Sequence, residues 1–170
     1  MAATTYLGTG AVSTADFKTV KWVGKTKSGV GITIQLENAI NTGNIEWTFA
    51  EKNDVVPSIT FEACYDNTDA ASASTAEPWS ITTDNSASAG ASEIILGAGV
   101  FYIGTNQIAL TRGGGSFNVE REYREINADG DRGAVKGRVV IESSRAKLTM
   151  NALTMLTRLT DLYPAVAASV

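Results

Sequence analysis

Apolar and polar residues alternate along most of residues 18–66, a pattern that predicts half-buried β-strands. The inward positions of four such segments are Val20 and Trp22; Val30, Ile32, Ile34 and Leu36; Ile45, Trp47 and Phe49; and Ile59, Phe61, Ala63 and Tyr65. Pro57 marks the beginning of the last segment, because proline is tolerated at the start of a strand. Four strands are therefore predicted in this part of the chain.

Residues 67–92 interrupt the alternation with serine, alanine, threonine and aspartate. Within them, the short PWSI predicts one further strand, whereas residues 83–92 have no periodicity and are typical of a flexible linker. Strands resume in GVFYIGTNQIALTR. There Gly104-Thr105-Asn106 predicts a hairpin turn, because glycine and asparagine tolerate the backbone conformations that such turns require.

A glycine cluster, Arg112 to Ser116, follows this hairpin. Glycine-rich loops can cradle phosphate groups, but this one lacks the lysine and adjoining hydroxyl residue that complete a P-loop, and no helical pattern follows it. We therefore predict a turn here rather than a phosphate site.

The next segment combines strand-like alternation with charges of both signs. Phe117, Val119, Arg121 and Tyr123 alternate with Asn118, Glu120, Glu122 and Arg124, residues 129–133 predict a turn, and residues 135–142 return as a second strand. Asp129 and Asp131 invite comparison with a calcium loop, but the other acidic ligands of an EF-hand are missing at their spacing. Glu120, Glu122 and Glu125 invite comparison with a glycosidase pair, yet neighbouring carboxylates on one strand are more typical of a solvated or interface face.

The C-terminal block begins like a strand at Leu148 and Met150 and then changes period. Leu153, Leu156, Leu159 or Thr160, and Tyr163 recur every three or four residues. This spacing predicts a short amphipathic helix ending before Pro164, with a long strand and a turn as the alternative. Together the patterns predict one domain over residues 1–170. Its fold is mainly β, an antiparallel β-sandwich or partly closed barrel with one short α-helix.

Composition removes several kinds of chemistry. The 170 residues include no histidine and a single cysteine, Cys64, which excludes histidine-dependent triads, histidine-rich zinc sites and an internal disulfide. Cys64 lies in an alternating segment and is interpreted as a small packed side chain rather than a nucleophile. Because no metal motif or cofactor fingerprint is present either, we predict neither an enzyme nor a cofactor-binding protein.

Charge and hydropathy bear on DNA binding and on cellular location. Residues 1–100 carry five basic and eleven acidic side chains, residues 101–170 carry nine basic and seven acidic ones, and the net charge is -4. An acidic chain argues against tight wrapping of DNA, which is driven by lysine and arginine. The sequence has no apolar run long enough for a membrane span and no signal-like N-terminus, so synthesis in the cytoplasm is expected.

Two blocks of the sequence stand out as units. One is IALTRGGGSFNVEREYREINADGDRGAVKGRVV, in which glycines lead into a charged strand, an acidic turn and a returning strand. The other is VKWVGKTKSGVGITIQLENAINTGNIEWTFAEKNDVVPSITFEACYDNTD, with EPWSI after it. Both resemble the tail tube proteins, also called major tail proteins, of long-tailed phages that infect Gram-positive bacteria.

The resemblance implies a structural virion protein. Such subunits are β-sandwiches that join side by side into six-membered rings, and the rings stack into a tube whose channel conducts double-stranded DNA during ejection. The implied partners are further copies of the chain, the tape-measure and tail terminator proteins, and DNA in transit without tight binding. Neither a cofactor nor a membrane is implied. The implied location is the host cytoplasm during assembly and the virion tail afterwards.

The order of the two blocks is the reverse of the order in that family. Residues 18–82 resemble the second half of the family pattern, residues 83–92 form the linker, and residues 93–166 resemble the first half. This order indicates a circular permutant, with engineering as the favoured origin, because permutation preserves a fold when the original termini are close and the cut lies in an exposed loop. A family member with a naturally different order is the alternative.

The resemblance also implies roles for individual residues. The charged hairpin would mediate contacts within or between rings through Glu120, Arg121, Glu122, Arg124, Asp129, Asp131, Arg132 and Arg138. Ordinary surface charges are the alternative. The channel would be lined by a polar strand face, with Thr33, Gln35, Glu37, Glu46 and Thr48 as candidates.

A carbohydrate- or cell-surface-binding β-sandwich module is the rival hypothesis. It would use Trp22, Trp47 and Trp79 as platforms on which sugars stack. Trp22 and Trp47 occupy apolar positions of their strands, so only Trp79, which follows Pro78 in a polar stretch, is expected to be exposed.

Overall fold

The computed structural model describes residues 5–47, 49, 51, 54–66, 77–84, 95–108, 111–126, 128–129, 135–153 and 159–169. Its strands are β1 (Thr5–Gly8), β2 (Lys18–Thr26), β3 (Gly31–Asn41), β4 (Ser58–Glu62), β5 (Trp79–Thr83), β6 (Ile95–Ile103), β7 (Asn106–Ile108), β8 (Thr111–Glu125), β9 (Val139–Ala152) and β10 (Val166–Ser169). A 3-10 turn, Thr14–Asp16, precedes β2, and one short helix, α1 (Leu159–Leu162), precedes β10. The prediction of a mainly β, antiparallel fold with one short helix is confirmed.

Antiparallel pairing links seven strands in the order β7-β6-β2-β3-β4-β9-β8, and β5 also pairs with β3. These strands form two layers, one of β7, β6, β2, β3 and β5 and the other of β4, β9 and β8. Strand β3 belongs to both layers, because its first half pairs with β5 over Ile32–Leu36 while Ile40 and Asn41 pair with β4. Between these stretches, Asn38 has a φ of 46°, a left-handed conformation that asparagine tolerates better than most residues. This conformation coincides with a shift in the register of β3 against β2, between the pairs Val20–Leu36 and Lys18–Ala39. The described strands form a sandwich-like fold without closing into a barrel.

The core lies between the two layers. The first layer contributes Val20, Leu36, Phe101 and Ile103, and the second contributes Ile59, Phe61, Leu148 and Met150. Each such side chain contributes roughly 1.5–3 kcal/mol when it is fully buried. The positions predicted to point inward around β2, β3 and β4 fall into three groups. Val20, Ile32, Leu36, Ile59, Phe61 and Ala63 are buried, Trp22, Val30 and Ile34 are half-buried, and Tyr65, at the end of its segment, is exposed.

Two glycines lie directly beside the ring of Trp22, which also packs against the core. Gly24 and Gly99 are directly paired across β2 and β6, and the indole ring of Trp22 occupies the space where their Cβ atoms would lie. The two glycines thus leave room for one large ring on the sheet, which explains why small residues occur inside these strands.

Helix α1 is held to the sheet by polar contacts. The Nδ2 atom of Asn41 donates a hydrogen bond of 2.7 Å to the carbonyl oxygen of Leu162, and Lys18 forms an ion pair of 2.8 Å with Asp161. The helix ends before Pro164, as predicted, whereas Leu156 lies outside the described residues. No helix in the described part of the chain is long and apolar enough to cross a membrane.

The predicted strand around Ile45, Trp47 and Phe49 is wrong, because residues 42–47 have no strand assignment. The Oδ1 atom of Asn41 accepts the N–H of Gly43 at 2.8 Å, and this turn ends β3. Strand β4 then occupies the position between β3 and β9. Ile45 and Phe49 consequently lie on the surface, 56% and 77% exposed.

The predicted turn at the glycine cluster is also wrong. Strand β8 runs through the cluster, and its register against β9 shifts between Thr111 and Gly115. Gly113 and Gly114 have φ values of 84° and 77°, which only glycine adopts without strain, so the extra residues bulge out of a continuing strand.

Several other turns and boundaries match the sequence, whereas the returning strand predicted over residues 135–142 begins only at Val139. The two-residue turn Gly104-Thr105 joins β6 to β7, β4 begins directly after Pro57, and PWSI forms part of β5. Thr83, the first residue assigned to the linker, is the last residue of β5, and residues 85–92 lie outside the described residues.

Candidate assembly surface

The hairpin of β8 and β9 extends beyond the rest of the sheet. Strand β4 pairs with β9 only between Lys147 and Asn151, and the N–H of Ala63 adds one bond to Ala146. Beyond that point β8 and β9 pair only with each other in the described part of the chain. We call this extension, residues 120–126, 128–129 and 135–145, the arm.

Six of the eight predicted interface residues fall on this arm. Glu120, Arg121, Glu122 and Arg124 lie on β8, Asp129 lies beyond its end, and Arg138 directly precedes β9. The N–H of Ile126 donates to the carbonyl oxygen of Arg138 at 2.9 Å, which extends the pairing past the end of β8. Asp131 and Arg132 lie outside the described residues.

One face of the arm continues the apolar row of the core. In register, Phe117 faces Leu148, Val119 faces Ala146, Arg121 faces Ser144 and Tyr123 faces Ile141. Directly opposed residues of an antiparallel pair point to the same face. The row is covered near the sandwich, but Tyr123, Ile141 and Val139 are 60%, 49% and 42% exposed. We call these three residues the arm face.

Four side chains hold the base of the arm, and we call them the brace: Tyr65, Glu77, Trp79 and Arg121. The guanidinium of Arg121 lies 5.7 Å from the centroid of the Trp79 ring and 3.7 Å from the Glu77 carboxylate. The Tyr65 hydroxyl donates to the same carboxylate at 3.2 Å. Burial and the negative charge of Glu77 raise the pKa of Tyr65. The brace therefore joins the arm to β5 and to the segment after β4.

The brace bears on two expectations from the sequence. Arg121, a candidate for contacts between subunits, forms an ion pair with Glu77 of its own chain, and its role between subunits stays a prediction. Trp79 was expected to be exposed, yet it is half-buried, with Arg121 over its ring and Phe117 5.7 Å away. Sequence analysis did not single out Glu77, whose only local signal is its position before Pro78-Trp79.

Two further arm carboxylates have partners within the chain. Glu120 lies 3.6 Å from the ammonium group of Lys147, and Glu122 accepts a hydrogen bond of 2.9 Å from Ser143. Arg124 is exposed. Exposed pairs of this kind contribute little stability each, typically below about 1 kcal/mol. The charges of the arm therefore do little to hold the molecule together.

The candidate channel residues are only partly brought together. Thr33, Gln35 and Glu37 share the face of β3 opposite Ile32 and Leu36, and Glu37 accepts hydrogen bonds from Gln35 and from Thr19. Cross-strand neighbours extend this polar face, with Lys21 and Ser80 flanking Gln35 and with Thr82 beside Thr33. Glu46 is exposed on the segment after β3 and not on the strand, while Thr48 lies outside the described residues.

The geometry offers little for metal or nucleophilic chemistry. No group of three or more histidine, cysteine, aspartate or glutamate side chains could hold a metal ion among the described residues. Cys64 is half-buried, and burial, with a smaller effect from Glu62, raises the pKa of its thiol. Such a thiol carries less of the reactive thiolate at neutral pH than an ordinary cysteine does.

Comparison with known proteins adds no relative. No family model matches the sequence, and neither a curated protein nor a solved structure matches the chain.

Proposed function

We propose that this protein is a structural subunit of the phage tail tube type, which assembles with copies of itself into stacked rings around a channel for double-stranded DNA. The observation that carries the proposal is the arm, a strand pair projecting from the sheet with exposed apolar residues, Tyr123, Val139 and Ile141 on one face and Val140 on the other. The resemblance of the two sequence blocks supplies the identity of the assembly.

Open strand edges support self-association. Among the described residues, strand β8 is the last strand at one end of the sheet order, and at the other end β7 pairs only with Phe101–Ile103 of β6. Exposed edges present unpaired N–H and C=O groups, which a strand of another molecule can satisfy. When two different surfaces meet head to tail, the contact closes into a ring if the rotation allows.

The charge of the chain suits a channel for DNA. The net charge is -4, and the polar face around Thr33 and Gln35 consists mainly of neutral side chains, with Lys21 and Glu37 as opposite charges. A surface without a concentration of lysine and arginine gains little from counterion release, so it does not retain a passing duplex. This face is our candidate for the channel wall.

We further propose that the chain is a circular permutant of the family pattern. Strands β1 and β10, near the two ends of the chain, pair with each other from Thr5–Ser169 to Gly8–Val166. At the proposed junction, Thr83 pairs with Ile32, and Ile95 pairs with Thr26. These positions flank the turn between β2 and β3. The linker has to join the end of β5 to the start of β6. These two strands are separated by β2 and β3, a distance of roughly 14 Å, which the residues between Thr83 and Ile95 can easily span.

The permutation is tested by restoring the family order. A chain that joins residue 170 to residue 1 and opens between residues 84 and 95 is expected to keep the circular dichroism spectrum and the urea midpoint of the present chain. The same joined chain opened inside β3, between Thr33 and Ile34, serves as the control that is expected not to fold. A chain in family order that does not fold contradicts the proposal.

Self-assembly is tested by light scattering after size exclusion over a concentration series, with negative-stain microscopy of any large fraction. Rings or tubes of even width are expected. Tyr123→Asp is expected to shift the protein to monomers, because it places a charge on the arm face. Val12→Asp is the matched control, since Val12 is 56% exposed but lies outside the arm. A wild-type protein that is monomeric at every concentration contradicts the proposal.

A further inference from the structure

A cleft of about 180 Å³ lies between the two layers of the sandwich, next to β8. Its walls are formed by Trp22, Ile34 and Phe101 of the first layer and by Phe117 and Leu148 of the second. Phe101 and Leu148 are buried at its floor, whereas Trp22, Ile34 and Phe117 are half-buried. The cleft is therefore an apolar extension of the core that is open to solvent on one side.

The mouth of the cleft is formed by small residues. Gly97, Gly115 and Ser116 line it and are exposed. Phe117 faces Leu148 on the inner side of β8, so the side chain of Ser116 points to the opposite side. None of the described residues that line the cleft is ionisable. The site therefore offers apolar side chains and no charged partner.

The glycines that surround the cleft differ in what fills the space beside them. An added Cβ at Gly99 would meet the Trp22 ring, and one at Gly115 would lie 2.7 Å from the Cζ atom of Phe101. At Gly97, where the register of β6 against β2 shifts, no atom lies within 4 Å of an added Cβ. Gly97 does not have a positive φ either, so neither backbone conformation nor crowding in the described part of the chain explains a glycine there. Glycine inside a strand often marks the close approach of a ligand.

We propose that the cleft binds one uncharged aromatic ring of about the size of benzene or indole. Apolar cavities of about 150 Å³ lined by leucine, isoleucine and phenylalanine bind benzene. The three aromatic side chains on the walls can contact such a ring edge to face or in an offset stack. Because the mouth consists of two glycines and a serine, it offers little surface to a macromolecule, and the ligand is a free small molecule.

The site lies in the sandwich, before β8 enters the arm. The inference is therefore independent of the proposed assembly through the arm, and either proposal can fail without the other. Tyr123→Asp, the arm variant expected to be monomeric, is expected to bind the ring as the wild-type protein does.

Titration of the wild-type protein with indole tests the proposal. Calorimetry is expected to give saturable binding with a dissociation constant of about 1 mM or lower. In methyl spectra recorded by nuclear magnetic resonance, the signals of Ile34 and Leu148 are expected to shift, because an aromatic ring changes the resonance of neighbouring methyl groups. Leu162 of α1 does not line the cleft, and its signals are the internal reference that is expected to stay in place.

A substitution at the mouth locates the ligand. Gly97→Leu places a side chain in the mouth and is expected to weaken indole binding at least about 10-fold. Ala98→Leu is the matched control, because Ala98 is exposed and does not line the cleft, and it is expected to bind indole like the wild-type protein. The methyl titration needs no variant, so the test stays decisive if Gly97→Leu folds poorly.

Three results would overturn the inference. The first is no saturable binding up to the solubility limit of indole. The second is binding that shifts Leu162 as strongly as Leu148, or that a folded Gly97→Leu variant leaves unchanged, since the ligand then lies elsewhere. The third is loss of binding in Tyr123→Asp, which would place the ligand on the arm.

Discussion

Strands β8 and β9 run through both the sandwich and the arm, and their surroundings differ completely between the two regions. In the sandwich, Leu148 and Met150 are buried by side chains of the opposite layer. In the arm, Val139 and Ile141 continue the same strand and stay 42% and 49% exposed. Apolar and polar residues alternate from Ala146 to Met150, whereas Val139, Val140 and Ile141 are consecutive apolar residues, so the sequence pattern of the arm does not show which side of the strand is covered.

Few contacts within the monomer stabilise the arm. Two-stranded ribbons are marginally stable in water, because they bury little apolar surface. This ribbon is joined to the sheet at one end and held by the brace at its base. An uncovered apolar stripe on such a ribbon favours contact with another molecule, since contiguous exposed apolar surface commonly marks interaction sites.

The largest expected effect is a difference in the loss of stability between a substitution in the sandwich and one in the arm. Phe61→Ala in the sandwich removes a side chain that is fully buried, and we expect the free energy of unfolding to fall by about 3–5 kcal/mol. Tyr123→Ala on the arm face is expected to change it by less than about 1 kcal/mol, because its ring is mostly exposed in the monomer. Urea denaturation followed by circular dichroism, at a concentration where the protein is monomeric, measures both.

Similar losses of stability in the two variants would contradict the proposed difference between the sandwich and the arm. A loss of several kcal/mol for Tyr123→Ala would mean that the arm belongs to the cooperative unit of the sandwich. A small loss for Phe61→Ala would mean that the core closes around the missing ring, which tightly packed interiors do only in part.

A smaller effect is expected inside the sandwich, at the glycines below Trp22. Gly99→Ala places a methyl group where the indole ring lies, and we expect a loss of about 1–3 kcal/mol from the displaced ring. Gly97→Ala on the same strand is the matched control, because no atom lies within 4 Å of its added Cβ. It is expected to be neutral or to stabilise by about 0.5 kcal/mol through the unfolded chain. Equal losses at both positions would contradict the packing described for Trp22.

The sequence predicted the structure correctly for strands whose apolar face is buried within the same molecule. The inward positions of β2 to β4 and the start of β4 after Pro57 followed from periodicity and backbone chemistry alone. The turn at Gly104 did as well. These features depend on local geometry and on burial of one strand face, both of which the sequence pattern records.

Sequence reasoning failed where partners decide the structure. The segment around Trp47 alternates like a strand, but β4 occupies the position beside β3 and β9, so the segment remains outside the sheet. The glycines 113 and 114 were interpreted as a turn, because their positive φ permits either a turn or a bulge, and only pairing with β9 distinguishes the two. Glu77, the partner of Arg121 within the chain, was not singled out, because the two residues are distant in sequence and only tertiary contacts bring them together.

The smallest expected effect concerns the brace that joins the two regions. Arg121→Ala removes the contact with the Trp79 ring and the ion pair with Glu77, and we expect a loss of about 0.5–1 kcal/mol, since both groups are partly exposed to solvent. Arg124→Ala, three residues along the same strand and exposed, is the control expected to change nothing measurable.

Hydrogen exchange shows which region loses stability, which the total free energy of unfolding does not. Amides of the arm are expected to exchange faster in Arg121→Ala while those of β2 and β3 are unchanged, because the brace holds only the base of the ribbon. Faster exchange throughout the sandwich would show that Arg121 supports the whole fold and that the arm and the sandwich are one unit.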